Sequence, residues 1–334
     1  MFSIIIPLYN KAAYIEKAIR SVLNQTYHEF ELIIVDDGST DNGVLVVEQY
    51  LQKQLKEGNN SLSDNVRIVR QANAGVSTAR NNGVELAKYD YIAFLDADDW
   101  WEPNFLQEMK ALIEAFPEAG IYSSNYYLVK NSKSKIAPIK FEKKFDRGII
   151  DYFNIYAKNL CMPIWTGTAI IKKEIFDSEH GFNPNITLGE DTELWIRVAL
   201  THKVAFLNYP LANYNQDAEQ NNRAIGKLHN LKNHILFNLD YLKDEEKRNH
   251  YLKQMLDNLR TYDLFKYYLK AKYRDVVLRE LEKVNWELQS KTIRRKYRMP
   301  LLLIQAETLF IIIGSKLKKR IIVLFQYLQL YINK

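Results

Sequence analysis

The chain opens with short apolar runs separated by stretches in which apolar residues recur every three or four positions. Ser3–Pro7 (SIIIP) and Glu31–Val35 (ELIIV) are strand-length runs rich in β-branched residues. Between them Ile15, Ala18, Ile19, Val22 and Leu23 fall on one face of a helix. The rhythm continues with a helical pattern over Asp41–Lys56, a polar loop over Glu57–Asn65 and a strand at Val66–Arg70 (VRIVR). A helix over Val76–Ala87 and a strand over Tyr89–Leu95 follow. Strands buried on both faces and joined by helices make a parallel, doubly wound sheet, so the fold class is α/β.

From Phe116 to about Leu211 the strands are more isolated, in AGIYSSNYYLV and GTAIIKKEIF, and a helix begins near Asp191. Residues 1–115 and 116–225 read as two halves of one domain, the second holding whatever reacts with the ligand of the first. After about Ile225 the apolar residues keep helical spacing, so 226–334 is expected to be a helical C-terminal region.

Charge sharpens that boundary. Residues 1–225 carry 23 Lys/Arg against 29 Asp/Glu, whereas residues 226–334 carry 23 against 11. The tail contains KTIRRKYR (Lys291–Arg298), and further on Leu317, Ile321, Leu324, Phe325, Leu328 and Ile332 share one helical face, with Lys318, Lys319, Gln326 and Gln329 largely opposite. Its apolar runs are interrupted before the roughly 20 residues that a spanning helix needs. The pattern suits a helix lying in an anionic membrane surface, which the charge asymmetry favours over the alternative of a helix packed on the body or on a second copy of the chain. No nucleic-acid-binding module accompanies the basic run, so no nucleic-acid partner is expected. The single cysteine, Cys161, excludes an intramolecular disulfide and Cys-based zinc clusters. With no signal peptide readable in MFSIIIPLYN, the expected location is the cytoplasm, peripheral to the inner membrane face.

In a doubly wound sheet the ligand sits beyond the carboxyl ends of the strands. The loops there are PLYNKAAY, DDGSTD, QANAGVSTARNNG and DADDW. Asp96 and Asp98 end an apolar strand and can together hold Mg²⁺ or Mn²⁺, which favour oxygen ligands and bridge to phosphates. The alternative is that Asp98 and Asp99 cap the helix starting near Pro103. Asp36 and Asp37 can accept hydrogen bonds from a base or a ribose, and Gly75 with Arg80 suits a phosphate, although Arg80 could equally be a surface residue. No G-x-G-x-x-G follows the first strand and no P-loop or G-x-S-x-G elbow occurs, which removes dinucleotide cofactors, P-loop NTPases and serine hydrolases of that type.

The succession SIIIPLYN, ELIIVDDGSTD, NAGVSTARNNG, YIAFLDADDW and WTGTAIIKKEIF…GFNPNITLGEDTELWIRV resembles the family-2 inverting glycosyltransferases of GT-A fold, over about Phe2–Tyr214. The resemblance implies a mixed sheet flanked by helices and a nucleotide-sugar donor, usually UDP-linked. It implies that Pro7, Tyr9, Asp36 and Asp37 frame the base, that Arg80 lies near the nucleotide, and that Asp96 and Asp98 hold Mn²⁺ or Mg²⁺. Asp191 would be the general base with Glu190 beside it, and Trp165, Gly167 and Trp195 would line the acceptor side. Many relatives place a metal-binding histidine about two dozen residues later; here Asp217 stands there, either as a further ligand or as a loop residue. The acceptor implied is a saccharide or lipid-linked saccharide of surface polysaccharide synthesis. Two other readings remain: a nucleotidyltransferase on sugar phosphates, for which only Lys11 is at hand near the first strand, and a non-catalytic assembly protein with a degenerate nucleotide fold.

Overall fold

The computed structural model describes residues 1–57, 65–218 and 228–299. The expected domain boundary at 225/226 and the amphipathic segment 317–332 lie outside these residues. By internal contacts the chain divides into two compact units, Met1–Met255 and Leu256–Lys334.

The first unit is built on strands β1 (Phe2–Leu8), β2 (Phe30–Asp36), β3 (Val66–Arg70), β4 (Tyr91–Phe94), β5 (Trp100–Trp101), β6 (Ala119–Lys130), β7 (Lys133–Ile136), β8 (Arg147–Ile150), β9 (Ile170–Lys172) and β10 (Lys203–Asn215). Its helices are α1 (Ile15–Leu23), α2 (Gly43–Lys56), α3 (Val76–Glu85), α4 (Phe105–Ala115), α5 (Tyr152–Asn159), α6 (Lys173–Ser178), α7 (Glu190–Thr201) and α8 (Lys243–Arg248). The strands form one sheet in the order β3-β2-β1-β4-β9-β6-β10-β5, with β7 on β6 and β8 on β10. β3, β2, β1 and β4 run parallel, as their apolar runs and helical crossovers require, while β9 is antiparallel to both β4 and β6. The sheet is therefore mixed.

All seven residues of β1 and of β2 are buried, which is why their sequences read as continuous apolar runs rather than as alternations. Ile15, Ala18, Ile19 and Val22 are the buried stripe of α1. Pro7 sits in a central strand, a place normally closed to proline. Ile5 turns its carbonyl to Leu95 beyond β4, so Pro7, two residues on, turns its missing N–H to the same side. The β1–β4 pairing has already ended at Ile5 and Phe94, so no ladder bond is lost.

One segment departs from the sequence pattern. GTAIIKKEIF, expected to be a strand, is divided among a single 3-10 turn at Thr166–Thr168, the three residues of β9 and helix α6. Ile175 and Phe176 are buried from the helix, so the apolar residues that suggested a longer strand serve a different element.

From His250 on, α9 (His250–Asp263) is followed by α10 (Phe265–Tyr268), α11 (Ala271–Leu281) and α12 (Lys291–Arg298). Asp257, Arg260 and Glu280 form a buried charge cluster there, with Arg260 3.2 Å from Asp257. Ser290 caps α12 by accepting the Ile293 N–H, and of α12 only Ile293 is buried, which leaves most of its basic side chains outward. Among the described residues no helix is long and apolar enough to cross a membrane.

Candidate active site

The loops after β1 and β2 lock each other. Asn10, at φ 51°, accepts hydrogen bonds from the Thr40 and Asp41 N–H groups, while Asp41 accepts from the Ala12 and Gly43 N–H groups. Tyr9 is left 47% exposed at the strand end, and Pro7 is buried beside it. Asp36 accepts the Ser39 N–H at 3.0 Å. Asp37 is far more engaged: its Oδ1 accepts from Gln71 Nε2 and the Ala74 N–H, both at 2.8 Å, and its Oδ2 from the Gly75 N–H at 2.9 Å. Asp37 thus fastens the end of β2 to the loop before α3. The amide groups that the sequence offered to a phosphate are turned onto this carboxylate.

Arg80 is carried inward from α3 and is only 3% exposed. Its Nη2 donates to Asp96 at 2.7 Å and its Nη1 to Glu190 at 3.2 Å, and its guanidinium carbon lies 5.1 Å from the Phe182 ring centre. Burial works against the charged guanidinium, but Asp96 and Glu190 outweigh it and hold the group protonated above its ordinary range. Burial and the neighbouring Asp191 raise the Glu190 carboxyl above its usual value, with Arg80 opposing the rise. One side chain therefore joins the end of β4 to the start of α7.

Asp98 accepts from Lys11 Nζ at 2.5 Å, which ties the β4 end to the β1 loop. Asp99 turns the other way and accepts the Asn215 N–H at 2.7 Å, anchoring the end of β10. Neither carboxylate caps α4, so the capping alternative is removed. Burial first, then repulsion from Asp98 and Asp96, pushes the Asp99 carboxyl well above the carboxylate range. Among the described residues no group of three or more His, Cys, Asp or Glu side chains is arranged to hold a metal. Asp96 and Asp98 carry the oxygen donors that a hard divalent cation favours, and here each is paired with a cationic side chain, Arg80 and Lys11.

On the opposite wall, Gly189 at φ +83° starts α7 and leaves Glu190 and Asp191 in its first turn, where the helix dipole favours them. Asp191 Oδ2 accepts from Thr166 Oγ1 at 3.0 Å, and its Oδ1 accepts the Thr192 N–H at 2.6 Å. Trp165, 4% exposed, packs between Tyr126 and Tyr214, each ring 5.1 Å away. Gly167 is required there, because a Cβ would lie 2.5 Å from the Trp165 indole. Its carbonyl accepts from Trp101 Nε1 at 2.7 Å.

Trp195, expected on this wall, is instead in the core. It is fully buried against Phe182 and Phe94, ring centres 5.9 and 6.5 Å away. It lies one helical turn beyond Asp191, and about 5.4 Å along α7 is enough to leave the crevice for the interior. Asp217 is exposed and accepts the Asn131 N–H at 2.9 Å, bracing the β6–β7 turn in which Asn131 and Ser132 both have positive φ.

Sequence reasoning missed the brace behind the acidic helix start. Thr187 N–H donates to the Asn233 carbonyl at 2.8 Å and Ile235 N–H to the Leu188 carbonyl at 3.0 Å, so chain after residue 228 returns to hold the loop before Asp191. It also missed Thr166 and Lys11 as partners of Asp191 and Asp98. Thr166 carried a usable signal, its place in WTGT beside the residues assigned to the acceptor side.

A mixed sheet flanked by helices, with acidic turns at the carboxyl ends of its parallel strands, is the GT-A architecture. The sequence profile of Glycosyl transferase family 2 matches residues 3–178, and the chain belongs to that family and so to the transferase enzymes. It is 30% identical to an uncharacterized glycosyltransferase of Nostoc sp. over 70% of this chain, spanning 66% of that protein's length. It is 32% identical to the amylovoran biosynthesis glycosyltransferase AmsB of Erwinia amylovora, over 64% of this chain and 69% of AmsB. Residues 1–349 of S. aureus TarS, solved in complex with UDP-GlcNAc, share the fold at a TM-score of 0.68 and 18% identity, over 84% of this chain and 79% of that one.

Proposed function

We propose that the chain transfers a sugar from a UDP-linked donor to a hydroxyl of a saccharide or lipid-linked saccharide acceptor, with inversion at the anomeric carbon, in surface polysaccharide synthesis. The observation that carries this reading is the Arg80 bridge, which sets the acidic turn of β4 and the first turn of α7 against one crevice. Tyr9, exposed at the end of β1, and Asp36 offer a ring face and a carboxylate to the base. The solved complex of TarS with UDP-GlcNAc and the name of AmsB support the donor class and the pathway class, respectively.

In the proposed reaction Asp191 takes the proton of the acceptor hydroxyl as that oxygen forms its bond to the anomeric carbon. The bond from that carbon to the diphosphate oxygen breaks, and its electron pair leaves with the nucleoside diphosphate. Asp191 then releases the proton to water. A divalent ion at Asp96 and Asp98, when bound, neutralises charge on the departing diphosphate. Lys11 adds a cation at the same edge. No carboxyl pair is needed across the sugar, unlike in glycoside hydrolysis.

The test is nucleotide release across UDP- and GDP-sugars with an alkyl glycoside acceptor, with and without Mn²⁺, in wild type and Asp191→Asn. Acceptor-dependent release that needs Mn²⁺ and falls by at least about a hundredfold in Asp191→Asn supports the proposal. Donor binding without turnover by wild type sinks it. The basic α12 and the tail that follows it support docking on an anionic membrane. Neutralising Arg294, Arg295 and Lys296 to Gln in the full chain should weaken its sedimentation with phosphatidylglycerol vesicles; unchanged sedimentation would exclude α12 as the contact.

A further inference from the structure

We infer that Thr166 is a positioning residue for the reaction: its hydroxyl holds the Asp191 carboxylate in the orientation from which it takes the acceptor's proton. The inference rests on Asp191 being the base.

Among the described residues the Asp191 carboxylate has three donors, and they are not equivalent. The Thr192 N–H at 2.6 Å and the Thr192 hydroxyl at 3.3 Å both reach Oδ1 from the next residue of the same helix. They move with Asp191 and cannot fix it relative to a substrate. Thr166 Oγ1, at 3.0 Å from Oδ2, is the donor that comes from a different element, the 3-10 turn between Trp165 and β9. It alone among the three ties the carboxylate to the wall formed by Trp165.

The turn is well placed to serve as a fixed reference. The Trp101 indole holds the Gly167 carbonyl at 2.7 Å, and Trp101 stacks on Phe105 with ring centres 4.2 Å apart. Ser123 Oγ bonds Thr168 Oγ1 at 2.9 Å and donates to the Pro163 carbonyl at 3.0 Å, which pins the turn from the β6 side. Thr166 is itself only 1% exposed, so its hydroxyl has little access to water as a competing partner. A carboxylate oxygen has two lone-pair sites; Thr166 takes one on Oδ2 and leaves the other for an incoming hydroxyl. A base fixed within a narrow angular range reaches its proton without a reorientation step.

Three variants separate this role from packing and from the assignment of the base. Thr166→Val keeps the shape and removes the donor; Thr166→Ser keeps the donor and removes the methyl; Asp191→Asn removes the base. Each is measured for acceptor-dependent UDP release with a UDP-sugar that wild type turns over and an alkyl glycoside, for UDP affinity by calorimetry, and for melting temperature. The expected result for Thr166→Val is kcat lowered about tenfold, with acceptor KM, UDP affinity and melting temperature near wild type, and recovery to within about threefold in Thr166→Ser. If Thr166→Val stays within about twofold of wild type while Asp191→Asn is inactive, Thr166 has no such role and the base assignment stands. If the loss in Thr166→Val comes with a lower melting temperature and Thr166→Ser does not recover it, the side chain is only packing. Full activity in Asp191→Asn would overturn the base assignment and this inference with it.

Discussion

Replacing Asp37 by Ala should destabilise the first unit more than the same change at Asp36, although the two residues are adjacent and similarly buried. Asp37 is 3% exposed and accepts from Gln71 Nε2 and from the N–H groups of Ala74 and Gly75; Asp36 is 6% exposed and accepts from Ser39. Losing a carboxylate acceptor costs about 1–3 kcal/mol for each buried donor it strands. Ala74 and Gly75 are exposed in their own right, so water can reach their amides and the lower end applies. That gives about 2–3 kcal/mol for Asp37→Ala against about 1 kcal/mol for Asp36→Ala. For a body of this size each kcal/mol shifts the midpoint by about 2–4 °C, so the two variants should melt about 4–12 °C and about 2–4 °C below wild type. Differential scanning calorimetry of the full chain reads the shift, and a UDP titration reads the site. Asp37→Ala should lose UDP affinity through the loosened loop, and Asp36→Ala through a lost contact, with the smaller loss of stability. Equal melting temperatures for the two variants would refute the assignment of Asp37 as a strut, because the reasoning rests wholly on the difference in bonds accepted.

Other substitutions probe the opposite wall and the second unit. Arg80→Met leaves Asp96 and Glu190 without their shared cation and should cost about 3–5 kcal/mol, visible as a lower urea midpoint; a smaller loss than in Asp36→Ala would contradict a buried bridge. Gly167→Ala places a methyl against the Trp165 indole, costs about 1–3 kcal/mol and should impair acceptor turnover more than UDP binding. Burial pushes the Asp263 carboxyl up to about 6, with Lys266 opposing. The unfolded chain then binds fewer protons than the folded one between about pH 4 and pH 6, so the stability of the second unit should fall as pH rises through that window and level off above it. Asp263→Asn should flatten the profile, and a profile in that variant as steep as in wild type would place the titration elsewhere.

What was legible in the sequence follows from what makes a pattern local. Strands β1 and β2 appear within a residue or so of their expected ends because burial on both faces makes their sequences mostly apolar, and β3, only half-buried, was legible from its short β-branched run Val66, Ile68 and Val69. The length of β9 was not legible, since Ile170, Ile171, Ile175 and Phe176 are apolar whether they face a strand's neighbours or a helix's core. Asp36, Asp37, Asp96 and Asp98 could be named because the topology of a parallel sheet sends strand ends and the loops beyond them to one side, whereas Asp191 was named only through the family resemblance.

Their partners could not. Whether Arg80 meets a phosphate or a pair of carboxylates depends on which helix start arrives 110 positions later, at Glu190. Asp37 and Asp36 are neighbours in one strand end, yet only the fold of the next loop decides that one becomes a strut. Trp195 is separated from the crevice by a single helical turn, a distance that periodicity cannot resolve when both faces of the turn tolerate an aromatic ring. The sequence by itself determined which chemistry the chain carries, because residue type and strand order are local or topological. Only the tertiary structure decided which hydrogen bond each carboxylate makes, because those bonds form between segments far apart in the chain, where pattern carries no register.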